Sequence, residues 1–121
     1  MSKNCDKKKI VVGIIGLGVG AFHLKNSLRY KNCKVKYICD KNKKKLNFYK
    51  KNFKIEKASK NSDDIINDKE INVVIIASND NDHFNQTRKS LLKNKNVFVE
   101  KPLCLTRNEL NAIINIKKKK T

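Results

Sequence analysis

A cluster of glycines, at residues 13 to 20, is the first feature of the sequence whose residue types suit chemistry. Gly16 and Gly18 follow an apolar run that ends at Ile15, and helix-compatible sequence comes next. In a dinucleotide-binding turn, the first glycine allows a tight turn out of a strand, and the second lets backbone N–H groups approach a pyrophosphate. Ala21 takes the third small position, where a helix packs closely on the strand. The spacing therefore predicts a phosphate-binding turn at a helix N-terminus, with a plain glycine turn as the alternative.

An acidic residue, Asp40, ends the second apolar run, about 20 residues after the glycine turn. A carboxylate in this place can accept hydrogen bonds from both ribose hydroxyls of an adenosine, and it repels a 2′-phosphate. Asp40 therefore favours NAD over NADP. Capping of the following helix is the alternative role, because aspartate is a good N-cap. The lysines at 41, 43, 44 and 45 leave NADP possible, since one of them can pair with a 2′-phosphate.

The stretch Glu100-Lys101-Pro102 contains the one proline of the chain. A residue that precedes proline is held in an extended conformation, so we expect Lys101 to project beyond the end of the fifth strand. Desolvation or a neighbouring cation can lower the pKa of a lysine enough for acid–base catalysis. Lys101 is therefore the candidate catalytic residue, and an exposed lysine beside a loop proline is the alternative.

The two histidines of the chain follow the first and fourth predicted strands. His83 lies on the side where a ligand is expected and is a candidate cofactor contact, with a structural or solvated histidine as the alternative. His23 comes soon after the glycine turn, and we assign it a packing role. The sequence suggests neither a Ser/His/Asp set nor a pair of catalytic carboxylates.

Alternating strand and helix patterns have to position these residues. We predict strands at 10–15, 35–40, 55–58, 73–77 and 97–99, and helices at 19–30, 43–52, 62–67 and 82–93. A capping box, Thr106 to Glu109, opens a last helix. Short connections in the order βαβαβαβαβα predict an α/β fold with a doubly wound parallel sheet, and right-handed crossovers give the strand order 3-2-1-4-5. A sixth strand is expected after the last helix, beyond the end of the sequence.

The length of 121 residues predicts one domain, at 10–116, between a polar lead-in at 1–9 and a basic tail at 117–121. No apolar run reaches the roughly 20 residues of a membrane span, so we expect no membrane association and a cytoplasmic location. The four cysteines (Cys5, Cys33, Cys39 and Cys104) lack the spacing of a metal site. We therefore expect reduced thiols and no metal.

The formal net charge of +18 raises the alternative of a nucleic-acid binder. Of the 29 basic residues, however, only Arg29, Arg88 and Arg107 are arginines, and the lysines are spread along the whole chain. Specific readers of nucleic acid use arginines and aromatic platforms in a local patch. The charge is thus better explained by a compositional bias toward lysine and asparagine, and only weak, nonspecific nucleic-acid binding is expected at low salt.

Taken together, the motifs V-G-I-I-G-L-G-V-G-A-F-H, I-I-A-S-N-D-N-D-H-F and V-F-V-E-K-P-L, with the acidic end of strand two, resemble one family. They are similar to the N-terminal domain of the glucose–fructose oxidoreductase, inositol dehydrogenase and rhizopine-catabolism (Gfo/Idh/MocA) family. The resemblance covers about residues 9–116. It implies a Rossmann domain that binds NAD or NADP and serves hydride transfer to or from a sugar, a cyclitol or a related carbonyl compound.

The resemblance also implies roles for single residues. The pyrophosphate falls to Gly16, Gly18, Val19 and Gly20, and the adenosine ribose falls to Asp40. In the nucleotide cleft, Ser78 and Asn79 stand where the family has Thr-Pro, and a hydroxyl is kept. The remaining implied contacts are those of His83 on its loop, of Glu100 near the nicotinamide ribose, and of Lys101 with cofactor and substrate, where it assists proton transfer.

One departure from the family is larger, because the C-terminal substrate domain and a pair of catalytic Asp and His residues have no counterpart in the sequence. We therefore expect the nucleotide-binding domain of an oxidoreductase, truncated or split from its substrate domain and inactive alone. It would need a partner chain or a missing C-terminal part, and a homo-oligomer stays open. A stand-alone NAD-binding or regulatory module, or a non-functional fragment, is the alternative.

Overall fold

The computed structural model describes residues 9–120, with the side chain of Lys120 excepted, and shows five strands alternating with five helices. The strands are β1 (Ile10–Ile15), β2 (Cys33–Cys39), β3 (Lys57–Ser59), β4 (Val73–Ile76) and β5 (Asn96–Val99). The helices are α1 (Val19–Ser27), α2 (Lys43–Asn52), α3 (Asp63–Ile66), α4 (Asp80–Leu92) and α5 (Arg107–Lys120).

The five strands form one parallel sheet in the order β3-β2-β1-β4-β5, which confirms the predicted topology. Strand β1 is central, and its register with β2 shifts between Val12 and Gly13. The chain order reverses direction across the sheet between β1 and β4. In open α/β sheets, ligands bind at this switch point, beyond the carboxyl ends of the strands.

Two apolar clusters cover the two faces of the sheet, which is why the central strands read as continuous apolar runs. On one face, Leu24 of α1 and Leu46 of α2 pack on Val12, Ile14 and other strand residues. On the other face, residues of α3, β4 and the loop between them pack with Ile15 of β1 and Cys39 of β2. They form the second cluster (Ile15, Cys39, Ile65, Ile66, Ile71, Val74 and Ile76).

The helix and strand limits differ from the predicted ones by one to three residues in most cases. Helix α1 ends at Ser27, before the predicted limit of 30, and leaves Leu28 42% exposed rather than on the buried face. Helix α4 begins at Asp80, earlier than predicted. Helix α5 continues to Lys120, so residues 117–120 of the expected basic tail form its last turn.

The sequence of α4 predicts a buried face of Phe84, Leu91 and Leu92, but the fully buried side is polar, and Phe84 and Leu91 are only half-buried. The buried residues of this helix are His83, Thr87 and Ser90, while Leu92 is 47% exposed. The reason is that the helix packs on polar backbone as well as on apolar side chains. His83 Nδ1, for example, lies 2.7 Å from the carbonyl oxygen of Pro102.

The predicted capping box at the start of α5 forms with a small shift. The backbone N–H of Glu109 donates to Thr106 Oγ1 at 3.1 Å, as expected. The carboxylate of Glu109 accepts from the N–H of Leu105 at 2.8 Å, one residue earlier than in the standard box. The bond to Thr106 satisfies a donor that the first helical turn leaves free, and the bond from Leu105 ties the preceding residue to the helix.

Two buried lysines hold the segment between α3 and β4. Lys36 Nζ lies 2.7 Å from both Asp68 Oδ2 and Glu70 Oε1, and these hydrogen bonds raise the pKa of Lys36. Lys95 Nζ donates to the carbonyls of Asp68 and Ile71 at 2.8 and 2.7 Å. Burial lowers the pKa of Lys95, so its carbonyl partners are needed to compensate for lost hydration.

The described part of the chain has no helix both long and apolar enough to cross a membrane.

Candidate functional site

The turn after β1 depends on Gly16 for its shape. Gly16 has φ of +95°, in the region that favours glycine, and its N–H donates to the carbonyl of Cys39 at 2.7 Å. A Cβ at this position would overlap the backbone carbonyl of Ala77. The fold itself therefore requires glycine here, as the prediction of a tight turn proposed.

Gly18 differs, because no other described segment fills the space beside it. Its φ is −74°, and a Cβ built on it meets no atom within 4 Å. It is the N-cap of α1, where no side chain forms a cap hydrogen bond and the first turn has no acidic residue. Open space beside uncapped N–H groups is the environment that a phosphate group occupies at a helix N-terminus. The residues present therefore fit a dinucleotide pyrophosphate.

The close approach of α1 to the sheet occurs at Gly20. A Cβ on this residue would lie 3.0 Å from Ile14 Cγ2 and 3.5 Å from Ala77 Cβ. The neighbouring Ala21 is also buried. Both small residues therefore let α1 pack on β1 and β4, whereas Val19, which is 56% exposed, lies beside the open space at Gly18. The predicted contacts of Val19 and Gly20 with a pyrophosphate stay predictions.

Asp40 fastens the glycine turn to the end of β2. Its Oδ2 accepts from the N–H of Leu17, and its Oδ1 accepts from the N–H of Asn42, both at 2.8 Å. It is not the N-cap of α2, because that position belongs to Asn42, whose side chain accepts from the N–H of Lys45. Each carboxylate oxygen keeps a further lone pair. The predicted role of Asp40 toward ribose hydroxyls therefore remains open to it.

A cleft of about 140 Å³ lies between the glycine turn and the start of α4. At its mouth, Lys41 Nζ and Asp82 Oδ2 approach to 3.6 Å, an ion pair that sequence reasoning did not predict. The cleft brings together four residues predicted for the cofactor with several that were not predicted; its lining includes Gly16, Cys39, Asp40, Lys41, Lys60, Ser62, Ser78, Asn79, Asp82 and Gln86.

The loop after β4 presents its side chains to this cleft. Ser78 Oγ donates to Gln86 Oε1 at 2.5 Å. The sequence offers Asp80 or Asn81 as the cap of α4, but the N-cap is Asn79, which makes no side-chain cap bond. The amide of Asn79 is exposed, and its predicted contact with the cofactor stays a prediction.

His83 is 1% exposed and joins two loops. Its Nε2 lies 2.9 Å from the carbonyl oxygen of Ser78, and its Nδ1 lies 2.7 Å from that of Pro102. Carbonyls only accept hydrogen bonds, so a neutral ring donates to one of them and a protonated ring to both. The structure thus shows His83 between these carbonyls, and its predicted contact with a cofactor stays a prediction.

The Glu100-Lys101-Pro102 segment continues from β5 at the same edge of the sheet, outside the cleft. The N–H of Glu100 donates to the carbonyl of Ile76 at 2.9 Å, which places Glu100 beside the end of β4. Glu100 Oε2 lies 2.7 Å from His23 Nε2. Lys101 is exposed. The residues predicted after the ends of β4 and β5 therefore lie at one edge of the sheet. His23 has a polar partner, Glu100, which its predicted packing role did not include.

Comparison with known proteins identifies the cofactor. A family model described as "Oxidoreductase family, NAD-binding Rossmann fold" (GFO_IDH_MocA) matches residues 10–121. The chain is 30% identical over 109 residues to myo-inositol 2-dehydrogenase of Thermotoga maritima, which covers 89% of this chain and 33% of that protein. It is 32% identical over 110 residues to inositol 2-dehydrogenase of Salmonella typhimurium, over 88% of this chain and 33% of that protein.

Solved structures give the same result. Scyllo-inositol dehydrogenase from Lactobacillus casei, with bound cofactor NAD(H) and scyllo-inositol, matches with a TM-score of 0.86 and 27% identity, over 93% of this chain and 34% of that one. The chain thus spans about a third of the length of these relatives. Because the family model covers nearly all of the sequence, the chain belongs to the Gfo/Idh/MocA oxidoreductase family and forms its NAD-binding Rossmann domain.

Proposed function

We propose that this domain binds NAD for a dehydrogenase that transfers a hydride to or from a hydroxyl-bearing carbon of a cyclitol or sugar. The observation that carries the proposal is the open space beside Gly18, which no other described segment fills. A dinucleotide pyrophosphate beside the uncapped start of α1 fills that space. The inositol substrates named for the relatives suggest the substrate class.

The residues of the chain divide the binding task. The N–H groups around Gly18 and Val19 hold the pyrophosphate, and Asp40 accepts from the adenosine ribose. Ser78 and Asn79 border the cleft beyond β4. When bound, NAD supplies the hydride acceptor. The exposed amine of Lys101 takes or returns the proton of the substrate hydroxyl.

A substrate-binding part has to complete the site, because hydride transfer needs a positioned substrate and the exclusion of water. The relatives are about three times as long as the matched region. Two large apolar side chains beside His23 are exposed, namely Phe22 of α1 at 64% and Phe98 of β5 at 52%. We propose that a substrate-binding part, in the same polypeptide or in a partner chain, covers this surface, and a homo-oligomer is its other candidate occupant.

The proposed compartment is a reducing one such as the cytoplasm. Within the described residues, Cys33, Cys39 and Cys104 are free thiols, as predicted, and Cys5 lies outside these residues. Free thiols persist where glutathione and thioredoxin keep cysteines reduced.

Titration of NADH with the 121-residue chain tests the proposal. The chain has no tryptophan, so the fluorescence of the nicotinamide is measured without interference. We expect saturable enhancement that persists when the salt concentration is raised, and weaker binding of NADPH. Binding that disappears with salt would mean that the net charge of +18 merely attracts phosphate, and it would overturn the proposal.

Asp40→Ala tests the ribose contact. We expect weaker NADH binding and a smaller preference for NADH over NADPH, because the carboxylate that attracts hydroxyls and repels a 2′-phosphate is gone. Glu56→Ala is the matched control, since it also removes one carboxylate, half-exposed and paired with Lys34 at 3.1 Å outside the cleft. An unchanged preference in folded Asp40→Ala would leave Asp40 only its role in fastening the turn.

A further inference from the structure

We infer that His23 is a positioning residue that holds the Glu100 carboxylate in place for the nicotinamide end of the cofactor. This inference rests on the proposed function and extends it to a residue outside the cleft. His23 lies on α1, the helix that begins at the phosphate turn, while Glu100 follows β5. Their contact therefore joins the phosphate turn directly to the segment that carries Lys101.

The contact is close and partly shielded from water. His23 Nε2 lies 2.7 Å from Glu100 Oε2, and the side chains are 18% and 32% exposed. Glu100 is also fixed through its backbone, because its N–H donates to the carbonyl of Ile76. Because Oε2 contacts His23, the carboxylate has a defined direction. Among the described residues, its other oxygen, Oε1, has no hydrogen-bond partner.

Two aromatic rings hold the imidazole. Phe98 of β5 meets it edge to face, with ring centroids 5.0 Å apart, and Phe22 of α1 does so at 5.9 Å. Such contacts stabilise one ring orientation. These contacts favour the ring orientation in which Nε2 faces Glu100, which is what a positioning group needs.

The other end of the segment is fixed in a similar manner. His83 Nδ1 lies 2.7 Å from the carbonyl oxygen of Pro102, and His83 belongs to α4, which begins at the cleft. Lys101 therefore lies between two anchored residues, Glu100 and Pro102, although its own side chain is exposed. Each anchor comes from a helix whose N-terminus borders the proposed cofactor site.

Calorimetric titration with two ligands separates positioning from a general structural role. NADH contains the nicotinamide and its ribose, whereas ADP contains only the adenosine and pyrophosphate portion. We expect His23→Leu to weaken NADH binding about fivefold, the order of effect of one hydrogen bond. The same variant is expected to bind ADP like the wild type, because the glycine turn and Asp40 are unchanged.

Two further variants identify Glu100 as the group through which His23 acts. His23→Gln keeps an N–H donor for the carboxylate and is expected to bind NADH within about twofold of the wild type. Glu100→Gln is expected to weaken NADH binding selectively, as His23→Leu does. Combining His23→Leu with Glu100→Gln is then expected to add little to the effect of Glu100→Gln alone, because interacting residues are not additive.

The outcomes distinguish this inference from the proposed function. Equal weakening of NADH and ADP by His23→Leu would show a purely structural residue and would overturn the positioning role. Unchanged binding of both ligands would overturn it as well. If the wild-type chain, folded by circular dichroism, binds neither ligand, the proposed function fails, and the role of His23 fails with it.

Discussion

Replacement of Gly18 by alanine offers the sharpest separation of folding from binding in this domain. The added Cβ meets no atom of another segment within 4 Å, and φ is negative at −74°. Alanine is a poorer N-cap than glycine, but it also restricts the unfolded chain, and these effects oppose each other. The free energy of unfolding of Gly18→Ala should therefore stay within about 1 kcal/mol of the wild type.

The same methyl group occupies the space proposed for the pyrophosphate. Displacing the phosphate from even one backbone N–H removes a hydrogen bond to a charged group, which contributes about 1.5–3 kcal/mol. Because each 1.4 kcal/mol changes an affinity tenfold, we expect NADH binding to weaken roughly 10- to 150-fold. Calorimetric titration measures this loss, and urea unfolding of the same sample measures stability.

Gly16→Ala is the matched control, with the same added methyl group on the same turn. Its φ of +95° and the overlap of a Cβ with the Ala77 carbonyl make alanine strained at this position. We expect a loss of unfolding free energy greater than about 2 kcal/mol. Folded Gly18→Ala that binds NADH as tightly as the wild type would refute the reasoning, because the open space at Gly18 would then have no ligand in it.

Three predictions concern buried side chains, namely Lys36, Lys95 and Cys39. Lys36→Met should lower the free energy of unfolding more at neutral pH than below about pH 4, as measured by urea unfolding at both pH values. Lys36 lowers the pKa of Glu70. Burial raises the pKa of Asp68, but its hydrogen bonds and nearby cations, Lys36 above all, lower it by more. Both carboxylates stabilise the fold only while they are ionised. An equal loss at both pH values would contradict this pairing. Lys95→Met should lower the free energy of unfolding by about 1–3 kcal/mol, because it leaves the carbonyls of Asp68 and Ile71 without their donor. An unchanged midpoint of urea unfolding would count against it. Burial, helped by the charge of Asp40, raises the pKa of Cys39 to about 12, so iodoacetamide at neutral pH should modify this thiol only after denaturation, as read by peptide mass spectrometry.

The sheet could be predicted because its signals are local. Runs of β-branched residues mark the strands, and the handedness of the crossovers then leaves one strand order. Strand β1 matches its predicted limits of 10–15, and helix α2 matches 43–52. The early end of α1 had no such signal, because Leu28 continues the apolar spacing although the helix ends at Ser27.

The polar interior could not be predicted, since its partners are distant in sequence. Lys36 interrupts an apolar strand and reads as an exposed residue, yet it is 6% exposed and contacts Asp68. The stripe of His83, Thr87 and Ser90 on α4 has helical spacing but the wrong polarity for a core. Only the fold shows that backbone carbonyls face His83 on this side of the helix.

His23 shows where a sequence signal existed but was incomplete. Gly20, His23 and Leu24 have the spacing of one helix face, and Gly20 and Leu24 are buried against the sheet. That spacing indicates that His23 faces the sheet, but it cannot indicate which strand end lies opposite. The strand order supplies the missing fact, because it places the end of β5 beside that of β4.

The same strand order explains why the phosphate turn and Lys101 lie on one edge although they are far apart in the chain. All five strands are parallel, so each ends at the edge where α1 and α4 begin. A histidine from each of these helices then contacts the segment after β5, at Glu100 and at Pro102. Any displacement of α1 that moves the phosphate turn must therefore also strain the contact that orients Glu100, which makes the geometry of the lysine segment dependent on the geometry of cofactor binding.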